Sequence, residues 1–521
     1  MDPSHLVAEV CPQTCVRPPP LDVLEAIRPP SFWLDHAVNG LRHAHPEYSA
    51  ASGLCQWQRY ALVAIALVVP LILFLNARTA WFALQGLIAV PFFLIVLVRL
   101  LALWELSQSH QPSFETGPSP IADDGLPTYS ILVALHRESE VAPVLVRALA
   151  ALDYPCNKLE IVFVTEAHDD DTRAALEAAG MADNMYVIAV PPGEPQTKPR
   201  ALNYALGFVS GDLIAVYDAE DIPDANQLRR AVSAFEAGGD DLVCVQAHLN
   251  IYNADHNAIT RQFTLEYTAL FDCILPALAR LGLPIPLGGT SNHFRRLALE
   301  QAGAWDPFNV TEDADLGVRL ARIHKRVGIF ASTTWEEAPA NARVWLDQRT
   351  RWLKGWMQTY LVHMRSPLKL WRELGPWRFA GFQVLMGGMV LAALVHPLFY
   401  LAVLSGAAKG NLLVAPESNW AALLWWLCWF NLAASYASAI ALAVAAARRR
   451  GHGRFAWSAL FLPVYWLAIS VAAYRALIDL VRRPHYWAKT QHHGLAIRGS
   501  AIQDGKGETL NLSPDSRFTE Q

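Results

Sequence analysis

Residues 127–165 read PTYSILVALHRESEVAPVLVRALAALDYPCNKLEIVFVT, and they set the architecture of the central part of the chain. Tyr129–Leu135 and Leu159–Thr165 are apolar runs of strand length, and residues 139–151 between them favour a helix. Strands that alternate with helical stretches indicate β-α-β units and a mainly parallel sheet. Three further strands are predicted downstream, at Met185–Val190, Asp212–Tyr217 and Leu242–Ala247. The sequence therefore predicts an α/β domain whose ligand lies outside the carboxyl ends of the strands.

The composition indicates a polytopic membrane protein. Of 521 residues, 53% are hydrophobic and only 17% are charged, and 18 are Trp. Five apolar runs stand on either side of the predicted domain, at 60–76, 80–103, 379–404, 419–446 and 455–480. Runs of this length approach or reach the thickness of a bilayer. The net charge of -5 gives no indication of nucleic-acid binding, and the seven scattered Cys, interpreted as reduced thiols, form no zinc-binding pattern.

The order of these runs predicts how the chain is organised across the membrane. Arg448–Arg450 follows an apolar run and favours a cytoplasmic position for that end. Two spans on each side of the α/β domain then leave the domain in the cytoplasm. The run 455–480 contains Pro463, Arg475 and Asp479, which suits an amphipathic helix in the interface, although a fifth span remains open. Before the domain we expect a cytoplasmic arm at 1–55 with one short helix near 21–28, two transmembrane helices at 56–105 and a linker at 106–126. The cytoplasmic domain itself is expected at 127–366. After it we expect a transmembrane helix pair with an interfacial helix at 367–450, an interfacial or fifth transmembrane helix with a gating-like loop at 451–494, and a polar tail at 495–521.

Charged residues follow the predicted strands. Asp218-Ala219-Glu220 comes directly after a strand, and carboxylates at alternate positions suit a hard divalent cation, although acidic turns are common. Lys198 and Arg200 precede a helix and could hold a diphosphate, or could form a solvated basic loop. Glu166 and the neighbouring Asp169–Asp171 close the second strand, where a carboxylate could accept from a base or a ribose hydroxyl. Which of these acids binds is left open.

Two further motifs lie downstream. The sequence VTEDAD at 310–315 places acids at the mouth of a predicted helix, and a carboxylate there could take a proton from an alcohol. Gln348, Arg351 and Trp352 have the spacing i, i+3 and i+4, so their side chains lie on one helical face. Arg can hold phosphate oxygens, and Trp can stack on a sugar or a base. The alternative for either motif alone is a surface helix with an ion pair and a core Trp.

Two loops are also candidates. Leu287–His293 is Gly-rich and precedes a predicted helix, so a sugar could approach its backbone closely, but without a Lys it does not match a phosphate-binding P-loop. Trp487–His493 follows the last apolar run. It could be a juxtamembrane anchor, or a loop that closes over a bound nucleotide.

Together these motifs resemble the inverting glycosyltransferases of family 2, and within them the membrane-integrated group that includes bacterial cellulose synthase. The resemblance covers residues 127–365 and the general layout of the flanking helices. It implies a GT-A fold, a Rossmann-like nucleotide-sugar-binding α/β domain flanked by transmembrane and interfacial helices. It also implies a UDP-sugar donor, a polysaccharide acceptor, a bacterial inner-membrane location with the catalytic domain in the cytoplasm, and export or periplasmic partner subunits.

The resemblance also implies roles for single residues. Asp313 is the expected catalytic base, Asp218 and Glu220 are expected to bind Mg²⁺ or Mn²⁺, and Lys489 and Thr490 are expected to act in a gating-like loop. Expected donor-binding residues are Glu166, Lys198, Asp218, Gln348, Arg351 and Trp352. Two positions depart from the family pattern, because Glu166 and Glu220 each replace the usual Asp. Each replacement keeps the carboxylate and lengthens its reach.

The sequence therefore predicts an inverting enzyme that transfers a sugar, expected to be glucose from UDP-glucose, to a growing β-linked polysaccharide. Two alternatives stand beside it. One is a non-processive enzyme that moves a single sugar to a lipid phosphate. The other is a catalytically inactive scaffold subunit of an export complex.

Overall fold

The structure is a computed structural model that describes residues 29–108, 121–410, 412–416, 418–487, 502–503 and 509–510. Lys489 and Thr490, which the sequence associates with a gating-like loop, lie outside the described residues, and so do residues 1–28 and most of the tail. Within the described ranges an α/β domain is flanked in sequence by long apolar helices. The predicted fold class is confirmed in both respects.

A mixed eight-stranded sheet forms the centre of the domain, in the order β3-β2-β1-β4-β7-β6-β8-β5. Neighbouring pairs among β1, β2, β3 and β4 are parallel, as are β6 and β8. The remaining pairs are antiparallel: β7 with β4 and β6, and β5 with β8. The strands are β1 Tyr129–Leu135, β2 Leu159–Glu166, β3 Met185–Val190, β4 Leu213–Tyr217, β5 Ile222–Pro223, β6 Leu242–Ile251, β7 Asn292–Arg295 and β8 Arg326–Glu336; a separate antiparallel pair joins β9 Ile502–Gln503 to β10 Thr509–Leu510.

The five strands predicted from apolar runs are present as β1, β2, β3, β4 and β6. Three strands of the large sheet were not predicted, and β7 is the one that matters for the site. It begins inside the Gly-rich stretch, which leads into a strand before it reaches a helix. The buried His293 in β7 meets the Tyr129 hydroxyl through its Nδ1 atom at 2.6 Å. Because β7 buries polar side chains such as Asn292 and His293 instead of an apolar run, hydrophobicity did not reveal this strand.

Sixteen α-helices lie in the described ranges, and helices cover both faces of the sheet. Ile131 and Val133 of β1 point to one face and pack in the cluster that holds α4 and α7, while Leu132 between them packs with α6 on the other face. Full burial of a side chain of this size contributes about 1.5–3 kcal/mol. The helices are α1 Pro30–Ala44, α2 Gln56–Leu75, α3 Ala77–Ser107, α4 Ala142–Ala150, α5 Asp170–Ala178, α6 Lys198–Leu206, α7 Gln227–Gly238, α8 Ala258–Ala269, α9 Leu275–Arg280, α10 Arg296–Gln301, α11 Glu312–Arg322, α12 Ala342–His363, α13 Pro367–Phe382, α14 Gly388–Ala408, α15 Asn419–Arg449 and α16 Leu462–Arg482; Leu270–Ile274 and Gln383–Gly387 are π-helical, and Gly453–Phe461 is a 3₁₀-helix.

The N-terminal helix α1 packs directly on the domain. Asn203 of α6 donates from Nδ2 to the Ala37 carbonyl of α1 at 3.0 Å. Trp33 lies over Gly207, where a Cβ would come within 2.8 Å of the indole ring. Segment 29–55 therefore packs against the α/β domain, and the Ala50 backbone N–H also donates to Asp306 at 2.5 Å. The short helix expected near 21–28 lies outside the described residues.

Among the described residues, four helical stretches are long and apolar enough to cross a membrane: Gln85–Ser107, Pro367–Ala408, Asn419–Arg449 and Gly453–Arg482. The first apolar run yields the shorter apolar helix Gln56–Ile72. A backbone kink at Gly375, where φ is 72°, separates the two parts of α13 within the second stretch.

The end of α15 is joined to the domain by buried charge. Arg450 contacts both carboxylate oxygens of Asp272 at 2.6 Å, and His248 of β6 lies 2.7 Å from the same carboxylate. Burial raises the pKa of Asp272, but Arg450 and His248 outweigh it and hold this pKa well below its ordinary value. The end of α15 therefore lies against the α/β domain at Arg450.

Candidate active site

A cavity of about 640 Å³ opens at the carboxyl ends of the parallel strands, between the sheet, α11 and α12. Its wall includes Leu135 at the end of β1 and Glu336 at the end of β8. Every predicted site residue within the described ranges lines this single cavity, together with Trp487: Glu166, Lys198, Asp218, Glu220, Asp313, Gln348, Arg351 and Trp352. The cavity therefore joins motifs that lie far apart in the sequence.

At Gly289 in the Gly-rich loop, the candidate catalytic base lies close to a candidate metal ligand. Lys198 at the start of α6 pairs with Asp218 and donates to the Gly289 carbonyl at 2.7 Å. A Cβ built at Gly289 would lie 3.3 Å from Asp313 Oδ2, 3.8 Å from Asp218 Oδ2 and 3.9 Å from Lys198 Nζ. Two carboxylates and one ammonium thus surround one point, and only glycine leaves that space open to a ligand.

Asp313 stands in the first turn of α11. Its Oδ1 accepts from the Ala314 backbone N–H at 2.7 Å, which leaves Oδ2 directed to the cavity. Burial raises the pKa of Asp313 to about 6, although the Ala314 N–H, Lys198 and Arg351 act in the opposite direction. A carboxylate with this pKa is ionised at neutral pH and is a stronger base than an exposed Asp, as general-base catalysis requires.

Its neighbour Asp315 has a structural role. Asp315 accepts from Arg319 Nε at 2.7 Å and lies 3.0 Å from His363 Nε2, and all three side chains are almost fully buried. Asp315 does not line the cavity. Of the two aspartates on this turn, Asp313 is the one that a substrate can reach.

More carboxylates crowd the cavity than its cations neutralise. Burial, and then Asp218, raise the pKa of Glu220 well above its ordinary value. Burial also raises the pKa of Asp221 and that of Glu336, each with a further contribution from neighbouring acids. Asp221 Oδ1 and Glu336 Oε1 are buried and have no hydrogen-bond partner among the described residues. The sequence motif at the end of β4 thus belongs to a larger acidic group than its two predicted ligands.

These carboxylates do not form a closed cage for a metal. Within the described ranges, no three His, Cys, Asp or Glu side chains converge as ligands for one ion. The ammonium of Lys198 contacts Asp218 instead. Oxygen donors with unsatisfied lone pairs nevertheless fit a hard divalent cation whose other ligands come from water and a diphosphate.

Glu166 lines the cavity but is already paired. Both of its carboxylate oxygens accept from Arg200 NH2, at 2.5 and 2.6 Å, and both side chains are buried. Arg200 is the second cation of the basic stretch predicted from sequence. Arg200 binds Glu166 but does not line the cavity, whereas Lys198 does.

Arg351 and Gln348 present polar groups to the cavity from α12. Arg351 stacks on Trp487 with 4.6 Å between its guanidinium carbon and the ring centroid, and it donates to the Val310 carbonyl at 3.4 Å. Burial lowers the pKa of Arg351, which Glu312 and Asp313 oppose. In the described part of the chain, neither Arg351 Nε nor Gln348 Oε1 has a hydrogen-bond partner. Both groups are therefore available to a ligand.

Trp352 belongs to an aromatic wall. Its ring centroid lies 6.2 Å from that of Tyr267 and 6.0 Å from that of Phe263. The guanidinium carbon of Arg349 lies 4.5 Å from the Trp352 ring centroid. Arg349 is paired with Glu266 of α8 at 2.6 Å. This buried pair fixes α12 against α8, and sequence reasoning missed it because the two residues are distant in the chain.

The far end of the cavity is apolar and reaches the long helices. Met389, Val390 and Ala393 of α14 and Ile469 of α16 line it. The loop after α16 closes one side, because Lys354 of α12 donates to the Tyr486 carbonyl at 2.7 Å. One cavity thus runs from the acidic strand ends to the helices that are long enough to cross a membrane.

Comparison with known families identifies the domain. The family model described as "Glycosyltransferase like family 2" matches residues 127–355. This segment is a family 2 glycosyltransferase domain. The domain is thus that of an enzyme, as the sequence motifs predicted, and its match covers the strands and the α12 motif described above.

Curated relatives resemble the same part of the chain. The probable glycosyltransferase YdaM of Bacillus subtilis is 29% identical over 252 residues, 48% of this chain and 60% of its own length. The beta-monoglucosyldiacylglycerol synthase of Trichormus variabilis is 31% identical over 248 residues, 47% of this chain and 52% of its own. The poly-beta-1,6-N-acetyl-D-glucosamine synthase of Staphylococcus aureus strain COL is 25% identical over 247 residues, 47% of this chain and 58% of its own. The chain therefore matches little more than half the length of these relatives.

A solved structure shares the fold. The mannosyltransferase PcManGT from Pyrobaculum calidifontis, in complex with GDP-Man and Mn²⁺, superimposes with a TM-score of 0.51 at 17% identity. The match covers 76% of this chain and 99% of that one. It supports the GT-A architecture of the domain.

Proposed function

We propose that the protein transfers a sugar from a UDP-sugar, with UDP-glucose as the donor, to a growing β-linked polysaccharide, with inversion at the anomeric carbon. One observation carries this proposal. Asp313, Asp218 and Lys198 surround the open space at Gly289, so a base and the groups that would hold a departing diphosphate address the same point. A donor sugar there would lie between its leaving group and its attacking hydroxyl.

The reaction is a single displacement. Asp313 Oδ2 takes the proton of the acceptor hydroxyl as its oxygen bonds to the anomeric carbon. The bond from that carbon to the diphosphate oxygen breaks, and its electron pair leaves with UDP. Lys198 and the unpaired edge of Arg351 stabilise the charge that develops on the diphosphate. A single attack from the face opposite the leaving group inverts the anomeric centre.

The acidic residues at the end of β4 suit a divalent cation. Asp218 and Glu220 would hold Mg²⁺ or Mn²⁺. Burial, and then repulsion by Asp218, raise the pKa of Glu220, and a bound cation would favour its ionised form. When bound, the cation supplies neutralisation of the diphosphate. Lys198, which pairs with Asp218 in the structure, would then be released to bind a phosphate oxygen.

We assign acceptor binding to the part of the cavity that α12 lines. Trp352 and the nearby Tyr267 offer aromatic faces to a sugar ring, and Gln348 Oε1 is available for a hydroxyl. Glu166, oriented by Arg200, would accept from the uridine. Because Arg200 already occupies both carboxylate oxygens, Glu166 would contribute through its remaining lone pairs.

We propose a location at a bacterial inner membrane with the domain in the cytoplasm, and the helices that are long and apolar enough to cross a membrane support insertion into a bilayer. The α16 helix runs beside α12, with Trp345 Nε1 3.1 Å from the Tyr465 hydroxyl, and the loop after α16 is hydrogen-bonded to Lys354 and Gln358. A helix held along the domain in this way suits the interface better than a fifth span. Product export, with or without partner subunits, would follow the helices at the apolar end of the cavity.

A lipid acceptor is the second candidate. The observation that favours it is the wall formed by Met389, Val390 and Ala393, which would accommodate acyl chains as readily as a glycan's apolar faces. One similar protein is named a beta-monoglucosyldiacylglycerol synthase and another a poly-beta-1,6-N-acetyl-D-glucosamine synthase, so the likeness does not separate a lipid product from a polymer.

A product assay distinguishes these candidates. The full chain in nanodiscs is incubated separately with UDP-glucose, UDP-galactose, UDP-N-acetylglucosamine and GDP-mannose, and nucleotide release is measured. Labelled product is then divided into organic-soluble lipid and polymer. Polymer from UDP-glucose supports the proposal, and a single sugar on lipid supports the second candidate. If UDP-glucose gives no sugar-dependent nucleotide release, the proposed donor is wrong.

A further inference from the structure

A second cavity, of about 320 Å³, lies apart from the active site, between β8, α11 and the loop that follows α9. Four of the residues that line it are cationic, and none is acidic: Arg280, Lys325, Arg326 and Arg378. Two of these cations are neutralised by partners, since Arg280 pairs with Glu105 and Arg326 pairs with Asp241.

The other two cations leave this cavity positive. Neither Lys325 nor Arg378 forms an ion pair in the described ranges. Lys325 interacts electrostatically with Asp241, but this carboxylate is already paired with Arg326. Arg378 is held in place by one hydrogen bond from Nε to the Gly282 carbonyl at 3.1 Å, which leaves its terminal nitrogens for a ligand. A guanidinium fixed by its inner nitrogen is well placed to hold a phosphate.

The cavity adjoins two of the candidate membrane-spanning stretches. Glu105, the partner of Arg280, stands near the end of the candidate span Gln85–Ser107, and Arg378 lies on the stretch Pro367–Ala408. The neighbour of Arg378 is Trp377, which is 58% exposed and donates from its indole N–H to the Leu281 carbonyl at 2.8 Å. Exposed Trp beside unpaired cations is typical of the headgroup region of a membrane.

We propose that this cavity binds the phosphate of an anionic phospholipid headgroup in the cytoplasmic leaflet. The ligand class follows from the chemistry of the wall: two free cations for one phosphodiester, and a flanking Trp for the glycerol and upper acyl region. A neutral, zwitterionic lipid would add an ammonium to a site that already carries excess positive charge.

The bound lipid would also adjoin the catalytic machinery. Gly317 of α11 packs so closely on the loop after α9 that a Cβ there would come within 2.1 Å of the Ile285 carbonyl oxygen. This loop continues into Gly289, and Gly317 stands one helical turn beyond Asp313. A lipid bound in this cavity would restrict the loop after α9 and would thereby help to position Asp313. The lipid would not take part in the reaction itself.

Lipid binding can be measured without any reference to activity. The full chain is delipidated, returned to nanodiscs of phosphatidylcholine with increasing phosphatidylglycerol, and the retained phosphatidylglycerol is counted by native mass spectrometry. The double variant Lys325→Ala, Arg378→Ala should bind phosphatidylglycerol about 30-fold more weakly, since each basic residue near a membrane surface contributes about fivefold. The matched control is Arg372→Ala, an exposed cation on the same helix outside the cavity, which should bind like the wild type.

Two further variants distinguish a loss of lipid binding from misfolding. Lys325→Glu changes a side chain that makes no hydrogen bond in the described structure, and it should weaken binding as much as the double variant. Arg378→Lys keeps the charge and should retain most of the affinity. The proposal is overturned if Lys325→Glu binds phosphatidylglycerol like the wild type, or if phosphatidylcholine is retained equally well. Free glycerol phosphate that competes at the same concentration would overturn the lipid assignment in favour of a small-anion site.

Discussion

Replacing Asp313 with Asn separates chemistry from binding. The amide has the shape of the carboxylate but cannot take the acceptor's proton, so the rate should fall about 10²–10⁴-fold, the range for a positioned general base. Affinity for UDP should stay within a few-fold, because Lys198 and Arg351 are unchanged. Initial rates of UDP release and isothermal titration with UDP, both on full-length protein, measure the two effects.

The raised pKa of Asp313 makes a second, independent prediction about stability. The folded protein holds this proton up to about pH 6, whereas the unfolded chain releases it near 3.8. Stability contributed by this group therefore falls as pH rises from 3.8 to 6, and the cost above pH 6 is at most about 3 kcal/mol. Asp313→Asn removes this cost, so at pH 7.5 its midpoint of thermal unfolding should be no lower than that of the wild type.

The wild-type pH profile should match. Catalytic efficiency should rise with pH through about 6 and then level off, because only the ionised Asp313 accepts a proton. Asp315→Asn is the matched control: it breaks the buried contacts with Arg319 and His363, so it should lose about 3–5 kcal/mol of stability. The reasoning is refuted if Asp313→Asn keeps more than a tenth of the activity, or if it unfolds at a markedly lower temperature.

Other substitutions test the remaining roles. Asp218→Asn should abolish turnover while the protein stays folded, and excess chelator should silence the wild type; full turnover in chelator would remove the metal from the account. Arg351→Ala should lower kcat about 10²–10³-fold, as loss of a group that stabilises developing charge does, and an effect on KM alone would assign it to binding. Glu166→Gln leaves Arg200 buried beside a neutral partner, so a lower unfolding temperature is expected, and unchanged stability would contradict the buried pair. Lys489→Ala with Thr490→Ala should weaken UDP affinity without affecting membrane insertion, and equal UDP affinity would leave residues 487–493 as an anchor.

The sequence predicted which residues line the cavity in those places where strand ends bring them together. Apolar runs located β2 and β4, and because parallel strands end at one edge, Glu166 and Asp218 had to lie on the same side of the sheet. The helical spacing of Gln348 and Arg351 similarly fixed their common face. These are local rules, and they hold whatever the rest of the chain does.

What could not be predicted depends on contacts between distant segments. The pair of Glu166 with Arg200 is made by two residues 34 positions apart, and nothing in either neighbourhood distinguishes a buried partner from a solvated charge. The strand at Asn292–Arg295 has no apolar alternation, and its buried His293 finds its partner in Tyr129, 164 positions away in the sequence. The same limit applies to Asp221, because its pKa is raised first by burial, which only the folded domain provides, and then by the neighbouring Asp218 and Glu220.

The configuration of the product bond tests the central claim most directly. Full-length protein is supplied with UDP-glucose labelled at the anomeric carbon, and the product linkage is determined by NMR and by digestion with a β-glucosidase. A base at Asp313 that acts in one displacement predicts a β-linked product from the α-linked donor, and Asp313→Asn should form none of it. An α-linked product would contradict the account.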